Sequence, residues 1–206
     1  MYSQADNYPE EAPMHLVEGD SSAERSKKVA VSAVLGAVSI ALGATASFIP
    51  RIPGWGIALF DPVSIVWVIA FLIGGIEVGI ITTYAGFFGL FLFDPTGVGP
   101  IFKFLATIPL ILIPWIGMKW SGAKHDGGHL SIRRNYVRYM LVAYLVRLSL
   151  MMPLNLVIVP ALFGISDVSF IIMYTLILNT LQSLWDTLVP FLIVYRTRIF
   201  DEFRMW

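Results

Sequence analysis

The apolar positions of this chain fall in long uninterrupted blocks rather than at the three-to-four-residue spacing of a surface helix. The first block, Val29 to Phe48, is rich in Ala, Gly and Ser and is long enough to cross a hydrocarbon core of about 30 Å. The segment Ile49 to Gly56 then brings two prolines and two glycines, which cannot continue a helix without leaving backbone groups unpaired. Phe60-Asp61-Pro62 offers an N-cap carboxylate and a first-turn proline, and opens an apolar stretch reaching Phe93. A single helix over that stretch would be about 48 Å long, too much for one crossing. A turn is expected at Gly74-Gly75, just before Glu77, so the stretch is read as two spans. The first of the two is short, which leaves a re-entrant hairpin as the alternative. A second turn-rich loop, Asp94 to Pro100, precedes a span from Ile101 to Met118 in which Pro109 and Pro114 should produce kinks. After a polar, basic stretch from Lys119 to Arg138, two further spans are predicted, Tyr139 to Phe163 and Phe170 to Tyr195.

The pattern therefore predicts an all-α polytopic membrane protein with six transmembrane helices. The expected organisation is a disordered cytoplasmic tail over residues 1–26, a membrane domain over 27–196 and a cytoplasmic C-terminal tail over 197–206. Composition agrees, since 57% of residues are hydrophobic and only 14% charged, well outside the soluble norm. The polar, acidic start (Glu10, Glu11, Glu18, Asp20, Glu24) lacks the basic and apolar regions of a secretory signal.

Charge placement adds an orientation. With six spans both ends share one side, and that side holds Arg25, Lys27, Lys28, Lys119, Lys124, Arg133, Arg134, Arg138, Arg196, Arg198 and Arg204. The opposite loops hold Arg51, with Lys103 close by. Both termini are therefore expected in the cytoplasm of a multi-pass cell-membrane protein. A formal net charge of zero gives no reason to expect a nucleic-acid partner.

Charges at mid-bilayer cost about 2.5 to 3.5 kcal/mol even on the lenient insertion scale, so each needs a partner or a cavity. Arg147 and Asp186 lie at equal depth, about 15 Å from the cytoplasmic ends of the last two spans, and are expected to form an intramembrane ion pair. Such a pair either fixes helix register or relays a proton or solute. Towards the outer side lie Lys103, Asn155, Asn179 and Gln182. Amides and one cation facing a common cavity would suit a polar, planar or anionic solute, with Trp55 of the first outer loop available to stack on it. The alternatives are interhelical hydrogen bonding for the amides and snorkelling for Lys103. Ala33, Ala37 and Ala41, with Ala30, Gly36 and Gly43 beside them, present a smooth face for another helix, within the bundle or on a separate protein. His125 and His129 flank Asp126-Gly127-Gly128, and the glycines argue against a rigid metal pair.

The chain contains no cysteine, which removes disulfides, thiolate nucleophiles and cysteine metal sites. It also lacks a GxxxxGK[ST] phosphate loop, an HExxH pair and a GxSxG elbow, so it has no means of hydrolysing ATP by itself. No cofactor is expected.

Several features together resemble the substrate-capture (S) component of energy-coupling factor vitamin transporters. They are the AxxxA spacing of Ala33 and Ala37, the proline-containing loop before Asp61, the run from Asp61 through FLIGGIEVGIITT, and the basic segment before the last two spans. Gly99-Pro100-Ile101-Phe102-Lys103-Phe104 and Pro153-Leu154-Asn155 are most similar to riboflavin-type members, and the likeness extends over residues 28–196. The resemblance implies a six-helix bundle that captures a vitamin on the outer side, near Trp55, Lys103, Asn155, Asn179 and Gln182. It further implies docking through Ala33 and Ala37 to a coupling transmembrane protein driven by two ATPase subunits. Two other functions stay open: a small membrane enzyme using Asp61, Asp94 or Glu77, and a non-transporting scaffold.

Overall fold

The computed structural model describes residues 14–45, 60–94, 96–122, 127–197, 199–203 and 205–206, with side chains from residue 22 onward. Its long helices are α1 (Met14–Thr45), α2 (Pro62–Leu90), α3 (Val98–Trp120), α5 (Arg133–Phe163) and α6 (Val168–Phe191). Two short helices, α4 (Gly128–Ser131) and α7 (Ile199–Phe203), lie between and after them, and α6 continues into a π-helical turn, Leu192–Arg196. Among the described residues, five helices are long and apolar enough to cross a membrane.

The second of these five is not straight. Gly75 adopts φ 74, ψ −165, outside the helical region, and the chain reverses there. A Cβ on Gly79 would lie 3.0 Å from the Phe71 Cα, and one on Gly86 would lie 2.3 Å from Trp67 Nε1. Residues 67 and 86 would be about 28 Å apart along a continuous helix. α2 is thus an antiparallel helical hairpin, broken at the Gly74-Gly75 pair where the sequence predicts a turn. Its halves, residues 62–74 and 76–90, are each only about 20 Å long, shorter than a usual span. Gly75 occupies a backbone region essentially reserved for glycine, so Gly75→Ala is expected to destabilise the protein by about 1–3 kcal/mol. Thermal unfolding of the detergent-solubilised variant checks this; an unchanged midpoint would refute the reversal at Gly75.

The first half of the hairpin is the centre of the molecule. Val63, Trp67, Val68, Phe71 and Leu72 are all fully buried, as expected of a helix that is apolar on every side. α1 lies along the second half through Ser32, Gly36, Ser39 and Gly43, all buried. Trp67 Nε1 donates to Ser39 Oγ at 2.7 Å across this contact. α3 packs on α2 and α5, and α6 packs on α5 and α2.

Three boundaries differ from the sequence expectation. α1 begins at Met14, inside the stretch read as a disordered tail, because nothing in residues 14–28 interrupts the helix before its apolar run. α3 begins at Val98, inside the stretch Asp94 to Pro100 read as a loop, and ends at Trp120. The stretch 197–206, read as a tail, carries α7 and folds back onto the hairpin tip. There Trp206 Nε1 donates to the Leu72 carbonyl at 2.9 Å, and its ring meets Phe71 edge-on. With Gly75 out of helical conformation, the carbonyls of the preceding turn lack helical donors, and the indole supplies one.

One end of the bundle gathers the hairpin tip, Lys27, Lys28, Phe203 and Trp206; Lys28 Nζ reaches Glu77 at 3.2 Å and Lys27 Nζ reaches the Phe203 carbonyl at 2.9 Å. The opposite end holds Asp61, Asp94 and Lys103, and there the helices surround a cavity open on one side.

Candidate functional site

The cavity has a volume of about 340 Å³ and is walled by the N-terminal ends of α2 and α3, the turn after α2, and the middle of α5 and α6. Lys103, Asn155, Asn179 and Gln182, placed together by the sequence, all line it. Trp55 lies outside the described residues.

α5 and α6 are joined by four residues, so they run antiparallel as neighbours and bring Arg147 opposite Asp186. Arg147 Nη1 donates to Asp186 Oδ2 at 2.8 Å, and both residues are only 2% exposed. The guanidinium also donates through Nε to Asn179 Oδ1 at 3.0 Å and through Nη2 to Gln182 Oε1 at 2.8 Å. Asn179, Gln182 and Asp186 stand at helical i, i+3 and i+7 positions, so one stripe of α6 offers three acceptors to one planar cation. Asp186 Oδ1 accepts a further hydrogen bond from Ser64 Oγ at 2.7 Å, which ties the pair to the central hairpin. Three of the five guanidinium donors are thereby used, and Arg147 itself lines the cavity wall.

This arrangement changes the expected roles of the amides. Asn179 accepts from Arg147 and donates through Nδ2 to the Thr175 carbonyl at 2.8 Å, so both ends of its amide are engaged in holding the guanidinium. Asn155 is different. Its Nδ2 donates to the Met151 carbonyl at 2.8 Å, whereas Oδ1 accepts no hydrogen bond among the described residues and borders the cavity. Asn155 is the amide best placed to accept from a solute.

At the cavity mouth Lys103 Nζ pairs with Asp61. Asp61 also caps α2, accepting from the Val63 N–H at 3.0 Å. Lys103 is half-buried, and a lysine so paired has no need to snorkel to an interface. Asp94 also lines the cavity, but its carboxylate is engaged by the Thr96 N–H at 3.0 Å, the Thr96 hydroxyl at 2.5 Å and the Gly99 N–H at 3.0 Å. Asp61 and Asp94 therefore line one site, while Glu77 sits at the opposite end with Lys28. Both cations at the cavity are held by internal pairs, Lys103 with Asp61 and Arg147 with Asp186, while Asp94 is met by neutral donors alone, so no cation is left for an anionic solute and the remaining capacity is for hydrogen bonding and apolar contact with Phe60, Leu90, Phe93 and Met151.

Sequence reasoning missed Ser64 and the part Asp61 and Arg147 take in the cavity wall. Asp61 was legible only as a helix cap, and its approach to Lys103 depends on how α2 and α3 pack.

The helix α1 has two distinct small-residue faces. Gly36 and Gly43 do not stand beside the alanines on one surface: they are buried against α2, where a Cβ on Gly36 would lie 2.9 Å from the Ala85 Cβ. Ala33, Ala37 and Ala41 are exposed, together with Val34 and Val38. His129 Nε2 lies 3.2 Å from the Tyr139 hydroxyl, at the basic end, and His125 is outside the described residues.

No family model, curated protein or solved structure matches this chain.

Proposed function

We propose that this protein is the solute-binding subunit of an energy-coupling-factor-type vitamin uptake system in the cell membrane. The observation that carries the reading is the convergence of Lys103, Asn155, Asn179 and Gln182, from three helices, on one cavity at the end of the bundle away from the basic segments. A volume of about 340 Å³ lies in the range of small-molecule sites. With both cations already paired, its mixed polar and apolar walls suit a neutral, polar, ring-containing solute such as riboflavin better than an anionic one.

In this reading each half of the α2 hairpin crosses the bilayer, giving six crossings, and the basic end with both termini faces the cytoplasm. Shortness of the two halves is accommodated by their position inside the bundle, where protein rather than lipid surrounds them. The exposed Ala33 and Ala37 face of α1 then docks on a coupling transmembrane protein, and ATPase subunits supply the energy that this chain has no motif to provide. The chain itself binds and performs no chemistry.

The test is direct. Mass spectrometry and absorption of the purified protein are expected to reveal a co-purified vitamin, and addition of that vitamin should raise the unfolding temperature. Asn155→Leu, which removes the acceptor facing the cavity, is expected to weaken binding by about tenfold, the worth of one good hydrogen bond. If no vitamin raises the unfolding temperature and Asn155→Leu changes nothing, solute capture at this cavity is wrong.

A further inference from the structure

A second hollow of about 570 Å³ lies on the outside of the bundle, between α5 and α6 in the half that carries the basic end. Its walls are largely apolar, with Val137, Leu141, Leu184 and Leu188 exposed along it. At its basic end stand Arg133 and Arg196, both exposed, and neither has an acidic partner among the described residues. The groove extends from there to Tyr144 and Thr180, whose hydroxyls hydrogen-bond at 2.7 Å and close its far end. From Arg133 to Tyr144 is about 16 Å along α5, and from Arg196 to Thr180 about 24 Å along α6. The distance along α5 is the depth of one leaflet of a hydrocarbon core about 30 Å thick, and the further reach along α6 carries Arg196 into the headgroup region.

A further observation points to an anion at the arginine end. α5 starts at Arg133 without a side-chain cap, so the positive end of a 31-residue helix lies at the arginine end of the groove.

We propose that this groove is a binding site for one anionic phospholipid of the inner leaflet. Its phosphate is held between Arg133 and Arg196 over the start of α5, and one acyl chain lies along the trough between α5 and α6. Charge complementarity selects the headgroup, because two unpaired arginines at the membrane surface attract an anionic lipid while giving a zwitterionic one much less. The apolar trough selects a lipid over a free anion, since inorganic phosphate would leave the groove walls uncovered. The proposal rests on the membrane orientation given above but not on the identity of the captured solute.

The test is native mass spectrometry of the full chain in neutral detergent, titrated with phosphatidylglycerol or with phosphatidylcholine of matched chain length. Phosphatidylglycerol is expected to be retained as a one-to-one adduct and phosphatidylcholine to be lost. Arg133→Gln with Arg196→Gln should weaken retention about thirtyfold, the effect of two surface charges. Leu188→Trp, which fills the trough without altering charge, should also reduce it. Equal retention of the two lipids, undiminished retention in the double glutamine variant, or undiminished retention in Leu188→Trp would each overturn the proposal. So would stabilisation by inorganic phosphate equal to that by phosphatidylglycerol. Solute binding measured on the same samples reports on the other cavity, so failure of lipid binding with intact solute capture, or the reverse, identifies which site is wrong.

Discussion

Arg147→Ala is expected to destabilise the protein by about 3–5 kcal/mol, the cost of leaving a buried charge without its partner. Asp186 would retain only the Ser64 hydroxyl, 2.7 Å away, as a donor. The Asn179 and Gln182 oxygens would lose the N–H groups now at 3.0 and 2.8 Å. Removing both charges is far less damaging, because no uncompensated ion remains. The double variant Arg147→Ala, Asp186→Ala should therefore be more stable than the sum of the two single changes predicts. A double-mutant cycle on thermal or denaturant unfolding in detergent reads this coupling; simple additivity would mean that the two residues do not interact. Arg147→Ala should also impair solute capture, since the guanidinium fixes the rotamers of Asn179 and Gln182 at the cavity wall. Arg147→Lys is not expected to restore it, because an ammonium group cannot reproduce the planar fork that meets three acceptors.

Gly86→Leu is expected to be comparably harmful through packing alone. A Cβ at this position would lie 2.3 Å from both Ser39 Oγ and Trp67 Nε1, the two atoms of the hydrogen bond that joins α1 to the hairpin. Either that bond breaks or α1 moves away, and overpacking of this kind costs about 1–3 kcal/mol before the buried hydrogen bond is counted. Ala37→Leu on the exposed side of α1 provides the comparison, with an expected change within about 0.5 kcal/mol. Unfolding temperatures of the two variants in detergent decide the matter. Equal effects would mean that the faces of α1 are assigned the wrong way round. Gly89→Leu should behave like Gly86→Leu, because its Cβ would meet Ile40 Cγ1 at 2.2 Å.

The faces of α1 illustrate how far a helical sequence can be read by eye. Ala33, Ala37 and Ala41 are spaced four apart, but so are Ser32 and Gly36, and Ser39 and Gly43. Small residues on both sides leave the choice of packed face undecided until a partner is specified. Trp67 and Gly86 specify it, one by offering an indole N–H and the other by leaving room for Ser39. The amides of the last two long helices carry a similar ambiguity. Asn155 and Asn179 look alike in sequence, yet Asn179 is held by Arg147 and Asn155 faces open space, because α5 and α6 meet in a rotation that directs the guanidinium towards α6.

What the sequence determined by itself was everything governed by local chain physics. Long apolar blocks marked the helices able to cross a membrane, adjacent glycines at 74 and 75 marked the reversal within α2, and Asp61 before Pro62 marked a helix start. The equal depth of Arg147 and Asp186 along neighbouring helices was legible for the same reason, since helical rise converts residue number into distance. The tertiary structure alone decided the rotations of the helices about their axes. These rotations bring Asp61 to Lys103, bury Gly36 while exposing Ala37, seat Trp206 on the hairpin tip, and leave a groove between two unpaired arginines. Rotation is set by side-chain fit between segments distant in sequence. In chains that are apolar all round, no polar face remains in the sequence to announce it.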